Sequence, residues 1–169
     1  MAIVLSAIIG SLVLALSGCS DQSGQTEKTL RVGVITYSQD DPFINALTDE
    51  LKAHLKTMES EERRIIVSIK SGNDDQQEQN EKVEEMIDGG CDVLCVNLVD
   101  RTAPYWIIRM ARNEKIPVIF FNREPVKEDL MQWDKLYYVG CDAEQSGIMQ
   151  GEIAAEYINS HPEVDKNED

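Results

Sequence analysis

Residues 30–58 read LRVGVITYSQDDPFINALTDELKAHLKTM. Leu30 to Thr36 is a short apolar run that predicts a buried strand. From Phe43 to Met58 the apolar residues Ile44, Leu47, Leu51, Leu55 and Met58 fall on one face of a helix. Between the two stands YSQDDPFIN, residues 37–45, with two acids and an aromatic ring at the point where a strand opens into a helix.

The same alternation continues down the chain. Ile65–Ile69 predicts a second strand, and Asp74–Ile87 a helix with few apolar positions, ended by Gly89-Gly90. Val93–Leu98 predicts a third strand and Ala103–Arg112 a helix. The fourth strand is Ile116–Phe121, with Pro117 near its start, where a missing N–H is best tolerated. Leu136–Gly140 predicts a fifth strand and Ser146–Ile158 a last helix. Strands alternating with helices of this length imply βαβ crossovers and a parallel sheet covered on both faces. The expected fold class is therefore α/β, a doubly wound parallel sheet.

The ends of the chain carry different signals. Residues 1–18, MAIVLSAIIGSLVLALSG, hold no charge and precede Cys19 and a polar stretch, which reads as an export signal rather than a fold element. No Lys or Arg precedes the apolar core, so a start codon further upstream is expected. Residues 19–29 then read as a tether. The formal charge is −15. Such a surface repels nucleic-acid phosphates, whose binding depends on Lys and Arg displacing counterions, and DNA and RNA are excluded as partners. Cys91, Cys95 and Cys141 have no neighbouring His for a zinc site and are expected to be buried thiols.

In a doubly wound sheet, ligands bind at the carboxyl ends of the strands, near the switch in strand order. The five predicted tips carry Asp40, Asp41 and Phe43; Ser71, Asn73 and Asp74; Asn97 and Asp100; Asn122, Arg123 and Glu124; and Asp142. Carboxylates and amides are hydrogen-bonding groups of fixed geometry, and a ring beside them offers a flat apolar face. A sugar needs both, hydroxyl partners and a surface for its C–H face. Some of these residues have simpler explanations. Asp40 is expected to cap the helix that begins near Pro42, and Asp74 to start its own helix.

Several strings, in this order and spacing, resemble the periplasmic sugar-binding proteins of the galactose/glucose type. They are YSQDDPF (37–43), NLVD (97–100), FFNREP (120–125) and YYVGCDAEQSGIMQG (137–151), and the resemblance runs from about Arg31 to the C-terminus. It implies two α/β lobes joined by a hinge and closing on one hexose without chemistry on it. Residues 30–140 would be the first lobe, and residues 141–169 the hinge and the start of a second, with the hinge itself at Val139–Asp142. The resemblance also implies delivery of the sugar to an ABC transporter permease. It makes Asp41 the acceptor of sugar hydroxyls, Phe43 the stacking ring and Asn122 an amide contact, with Asn97, Asp100 and Glu124 behind them. Leu16-Ser17-Gly18-Cys19 resembles a bacterial lipobox, which implies a lipid on Cys19 and anchorage to the membrane outside the cytoplasm.

The resemblance further implies a calcium loop early in the second lobe. Asp165, Asn167 and Asp169 match the first, third and fifth ligand positions of such a loop. Its glycine and later ligands do not follow, so this chain alone is expected to hold calcium poorly and, with one wall of the cleft, to hold sugar weakly. The helix at Ser146–Ile158 is expected to pack poorly.

Other classes fare worse. The same lobes could hand a sugar signal to a chemoreceptor or sensor kinase, and the residues do not separate that from transport. A sugar-responsive repressor requires an N-terminal DNA-binding helix-turn-helix, where this chain has an export signal. An enzyme is not expected: G-x-G-x-x-G, H-E-x-x-H and G-x-S-x-G are absent, and the adjacent Asp40 and Asp41 cannot flank a glycosidic bond.

Overall fold

The computed structural model describes residues 28–163. Cys19, and the candidate calcium ligands Asp165, Asn167 and Asp169, lie outside them. Five strands form one all-parallel sheet: β1 (Lys28–Thr36), β2 (Arg63–Ser71), β3 (Val93–Val96), β4 (Val118–Phe121) and β5 (Leu136–Val139). Between them run α1 (Pro42–Thr57), α2 (Gln76–Asp88), α3 (Tyr105–Asn113) and the short α4 (Lys127–Leu130), and α5 (Ala143–Ser160) follows β5. The expected doubly wound α/β fold is the observed one.

Strand order is β2-β1-β3-β4-β5. The chain therefore moves one way from β1 to β2 and the other way from β3 onward, so the switch point lies between β1 and β3. Val32 of β1 stands beside the switch point, paired with Val67 of β2 on one side and Val93 of β3 on the other.

Alternation along the strands divides the core into two layers. Ile35, Leu94, Val96, Val118 and Phe120 face α2 and α3, meeting Val83, Met86, Ile107, Ile108 and Ala111. Val32, Val34, Ile65, Cys95 and Phe121 form the opposite layer, against which Leu51 and Leu55 of α1 pack. Both faces of the central strands are thus covered, which is why they read as apolar runs rather than alternating ones.

Several boundaries differ from the sequence reading. Lys28 and Thr29, assigned to the tether, pair with Arg63 and Arg64 as the start of β1. Pro117 stands just outside β4, where its carbonyl accepts from Leu94 N at 3.0 Å. Cys91 and Cys95 are buried, but Cys141 is exposed and corrects the expectation for it. It sits in the link between β5, an edge strand, and α5, which buries none of its residues among the described elements. No residue of α5 is buried, in keeping with the poor packing expected there. Among the described residues, no helix is long and apolar enough to cross a membrane, and no group of three His, Cys, Asp or Glu could hold a metal.

Candidate functional site

The β1–α1 turn is organised by Asp41. Its Oδ1 accepts from Phe43 N at 2.8 Å and Ile44 N at 3.2 Å, while Oδ2 accepts from the Tyr37 hydroxyl. Asp41, not Asp40, is the N-cap of α1. The reason was available in the sequence. Pro42 occupies the first helical position, so the residue immediately before it is the cap, and Asp40 stands one residue too far back. The bond from Tyr37, reinforced by the Ile44 N–H, holds the Asp41 carboxyl below the usual carboxylate range. The same bond pushes the Tyr37 phenol up. A carboxylate has about four acceptor positions, and three bonds leave room for one more donor.

Tyr37 is also the point at which three strand tips meet. The Arg123 guanidinium lies over its ring, 3.6 Å from the centroid, and donates to the carbonyls of Leu98 at 3.3 Å and Val99 at 3.0 Å. A residue following β4 thereby braces the ends of β1 and β3. Arg123 serves this brace, with its cation over a ring and its Nη1 on two main-chain carbonyls.

Asn122 stands beside that brace with φ 60, a left-handed conformation that Asn tolerates better than most residues. Its N–H donates to Val139 O at 3.0 Å, and its carbonyl accepts from the Tyr138 hydroxyl at 3.0 Å. Tyr138 in turn reserves the space over Gly140, where any Cβ would overlap its hydroxyl. The backbone of Asn122 is thus fixed from two sides, while its exposed side-chain amide has no partner among the described residues. Phe43 is likewise open, 63% exposed.

The remaining candidates divide. Asp100 turns its carboxylate onto its own loop, accepting from Thr102 N at 2.8 Å and Thr102 Oγ1 at 2.7 Å, which lowers its pKa. Glu124 contributes its carbonyl to Arg101 Nε at 2.6 Å, and its side chain is exposed. Asn97 is fully buried. Asp74 does not start α2. Asp75 is the cap, accepting from Glu78 N at 2.9 Å. Asp74 has φ 61, and instead accepts from Ser38 Oγ at 2.8 Å and donates its N–H to Tyr37 O at 2.7 Å, tying the β2 tip to the β1 tip. Asp142 caps α5 through Gln145 N at 3.0 Å.

The structure thus brings Asp41, Phe43 and Asn122 to one end of the sheet, linked through Tyr37 and Arg123. Asp100 is drawn into its own loop. Sequence reasoning missed the bracing roles of Tyr37, Arg123, Tyr138 and Gln79. Gln79 is fully buried and satisfies the loop after β3, donating to Asn97 O at 2.8 Å and accepting from Val99 N at 3.0 Å. It lay hidden in the polar run QQEQNEK, residues 76–82, where nothing marks one glutamine as inward-facing.

Residues 32–166 match the model of the periplasmic binding protein domain. The chain belongs to the periplasmic binding protein family. Its family places it outside the cytoplasm and makes it a binding protein, not an enzyme. It is 33% identical over 143 residues to the D-galactose/methyl-galactoside binding periplasmic protein MglB of Haemophilus influenzae, covering 82% of this chain and 41% of that protein. A solute-binding protein of an ABC transporter from Clostridium phytofermentans, solved with β-D-glucose, superposes with a TM-score of 0.65. It is 25% identical, over 78% of this chain and 38% of its own. The fructose-binding periplasmic domain of a hybrid two-component system follows, with a TM-score of 0.64 at 27% identity, over 77% of this chain and 40% of its own. The chain therefore spans well under half the length of these periplasmic binding protein relatives.

Proposed function

We propose that the chain supplies one wall of a hexose site and that the protein captures galactose or glucose for delivery to an ABC transporter permease. One observation carries the reading. The open ring of Phe43 stands two residues from Asp41, whose carboxylate is held charged by Tyr37 and the α1 amides, and Asn122, next to the Arg123 that lies over Tyr37, keeps its side-chain amide without a partner among the described residues. A charged acceptor, an amide and a ring face are the chemistry that sugar hydroxyls and C–H faces require. Asn97, Asp100 and Glu124 stand behind them as shaping residues. The relative that binds D-galactose and the one solved with glucose support the same class of ligand.

A single wall does not enclose a ligand, and high affinity needs most of its surface buried. A protein of the relatives' length would close a second lobe over these tips, with the hinge at Val139–Asp142. The test is calorimetric titration with galactose and glucose. The 169-residue chain should bind weakly, and a chain continued through a second lobe tightly. Micromolar binding by the short chain would refute the need for the opposing wall, and a full-length protein that bound neither sugar would refute the ligand.

A second reading is sensing. The likeness to a periplasmic domain of a hybrid two-component system favours a protein that reports sugar to a sensor kinase, or to a chemoreceptor, rather than feeding a permease. Deletion of the gene separates them, abolishing sugar uptake in one case and sugar-dependent signalling in the other. The anchorage proposed through a lipid on Cys19 is tested by metabolic labelling with a fatty acid, lost in Cys19→Ser. Calcium at Asp165, Asn167 and Asp169 is proposed for the longer protein and tested by terbium titration.

A further inference from the structure

Asn97 is the one buried residue whose side-chain oxygen and nitrogen both lack a hydrogen-bond partner among the described residues. It has no solvent exposure. Its backbone is fully used, the N–H donating to Ile35 O at 2.8 Å and the carbonyl accepting from Gln79 Nε2 at 2.8 Å. A buried amide with two donors and an acceptor left unmade is strongly unfavourable unless something else supplies the bonds.

Its surroundings are polar on the same layer. Asn97 follows Cys95 by two residues, so it faces the α1 layer, at the end nearest the strand tips. Thr36 follows Val34 by two on the neighbouring strand and faces the same way. α1 covers this layer, and its inward positions run from Ile44 through Thr48 to Leu51 and Leu55. Toward the strand tips this apolar layer therefore includes three polar residues, Thr36, Thr48 and Asn97, all buried. The Thr48 hydroxyl donates to Asn45 O at 3.0 Å and that of Thr36 to Lys70 O at 3.5 Å, which leaves each oxygen free to accept. Internal waters occupy such places, where polar groups can give them two to four bonds.

We propose that Asn97 holds an internal water under the β1–α1 turn and acts as a positioning residue for Asp41 and Phe43. The water accepts from Asn97 Nδ2 or donates to Oδ1, and reaches the threonine hydroxyls, joining β1, β3 and α1 where the turn begins. The water site stands on the structure alone. That the turn touches sugar rests on the hexose reading above.

The experiment is water-to-protein magnetisation transfer on the isotope-labelled 169-residue chain. The Asn97 side-chain amide should show rotating-frame cross-peaks to a long-lived water and slow hydrogen exchange. Absence of a water cross-peak at the Asn97 amide would overturn the proposal, whatever any variant does. In Asn97→Leu, which removes the orphaned polar atoms and fills the space, the fold should survive, but the Phe43 and Ile44 amide signals that report the Asp41 cap should shift. Unchanged signals in folded Asn97→Leu would overturn the positioning role. Should that variant fail to fold, Asn97→Ser, which keeps a polar group and leaves room for water, should retain the cross-peaks at the threonines, and their loss would count against the site. In the protein with both lobes, Asn97→Leu should weaken sugar at least tenfold. A persistent water with no sugar binding by the parent would refute the hexose reading alone.

Discussion

α3 and α5 are built from similar apolar residues and have opposite fates. α3, YWIIRMARN, buries Ile107, Ile108 and Ala111. α5, AEQSGIMQGEIAAEYINS, is twice as long and carries Ile148, Met149, Ile153, Tyr157 and Ile158, all exposed. Composition does not separate them. α3 is the crossover between β3 and β4, two neighbours in one sheet, and the returning strand holds it against the core. α5 follows β5, the edge strand, and no later strand among the described residues brings it back. An apolar helical face becomes core only where the topology supplies a surface to meet it.

The sharpest test of that contrast is a pair of like substitutions. Ile107→Ala should cost about 2–5 kcal/mol, the usual range for emptying a closed core site. Urea unfolding followed by Trp106 and Trp133 fluorescence would measure it. A loss below about 1 kcal/mol would show that the α3 contact is loose.

The cysteines extend the comparison to reactivity. Burial pushes the Cys91 and Cys95 thiols up to about 11, whereas Cys141 lies exposed beside α5. Limited alkylation at pH 8, mapped by peptide mass, should label Cys141 ahead of Cys91 and Cys95, which react only on unfolding. Early labelling of Cys95 would place an opening in the sheet itself.

Acid should act on the packed face of the sheet. Glu85 on α2 pairs with Lys70 of β2 and Lys82, and is held down to about 2, mainly by Lys70. A depressed carboxylate stabilises the folded state above its ordinary value of 4.5 and ceases to do so as pH falls through about 2. Thermal stability should therefore decline across that interval, and Glu85→Gln should flatten the decline. Asp41 contributes with the same sign. Asp41→Asn keeps the cap, since Asn caps as well as Asp, yet should let the Tyr37 phenol fall toward its ordinary value, read by its ultraviolet titration. An unmoved Tyr37 would dissolve the link between cap and brace.

The smallest effect belongs to α5. Ile153→Ala should change stability by less than about 0.5 kcal/mol in the 169-residue chain, because no packed contact is removed. Hydrogen exchange should find the α5 amides less protected than those of α3. Strong protection of α5 would mean that it has found a partner surface.

Much of the fold was legible because its rule is local. Apolar runs of strand length, alternating with helical periodicity, require a parallel sheet covered on both faces, and every strand was placed within a few residues. The short α4 was not, since four residues, KEDL, carry no period. At the site, Asp41, Phe43 and Asn122 were legible as tip residues. Assigning the α1 cap to Asp40 rather than Asp41 misread a local rule, for Pro42 already fixed the cap at the residue before it. Asp74 was different. Its left-handed backbone and its bond to Ser38 belong to a contact between two strand tips 36 residues apart in sequence.

The sequence by itself determined the elements, the alternation that makes the sheet parallel, and the polar chemistry gathered at its carboxyl ends, because each depends on residues within a turn or a strand of one another. Only the tertiary structure decided that Arg123 would spend its charge on Tyr37 and two carbonyls, that Gln79 would patch the β3 loop, and that the Asn97 side chain would be buried without a partner among the described residues. Those outcomes depend on which strands become neighbours, and a side chain's partners across a sheet are set by strand order, which no local pattern encodes.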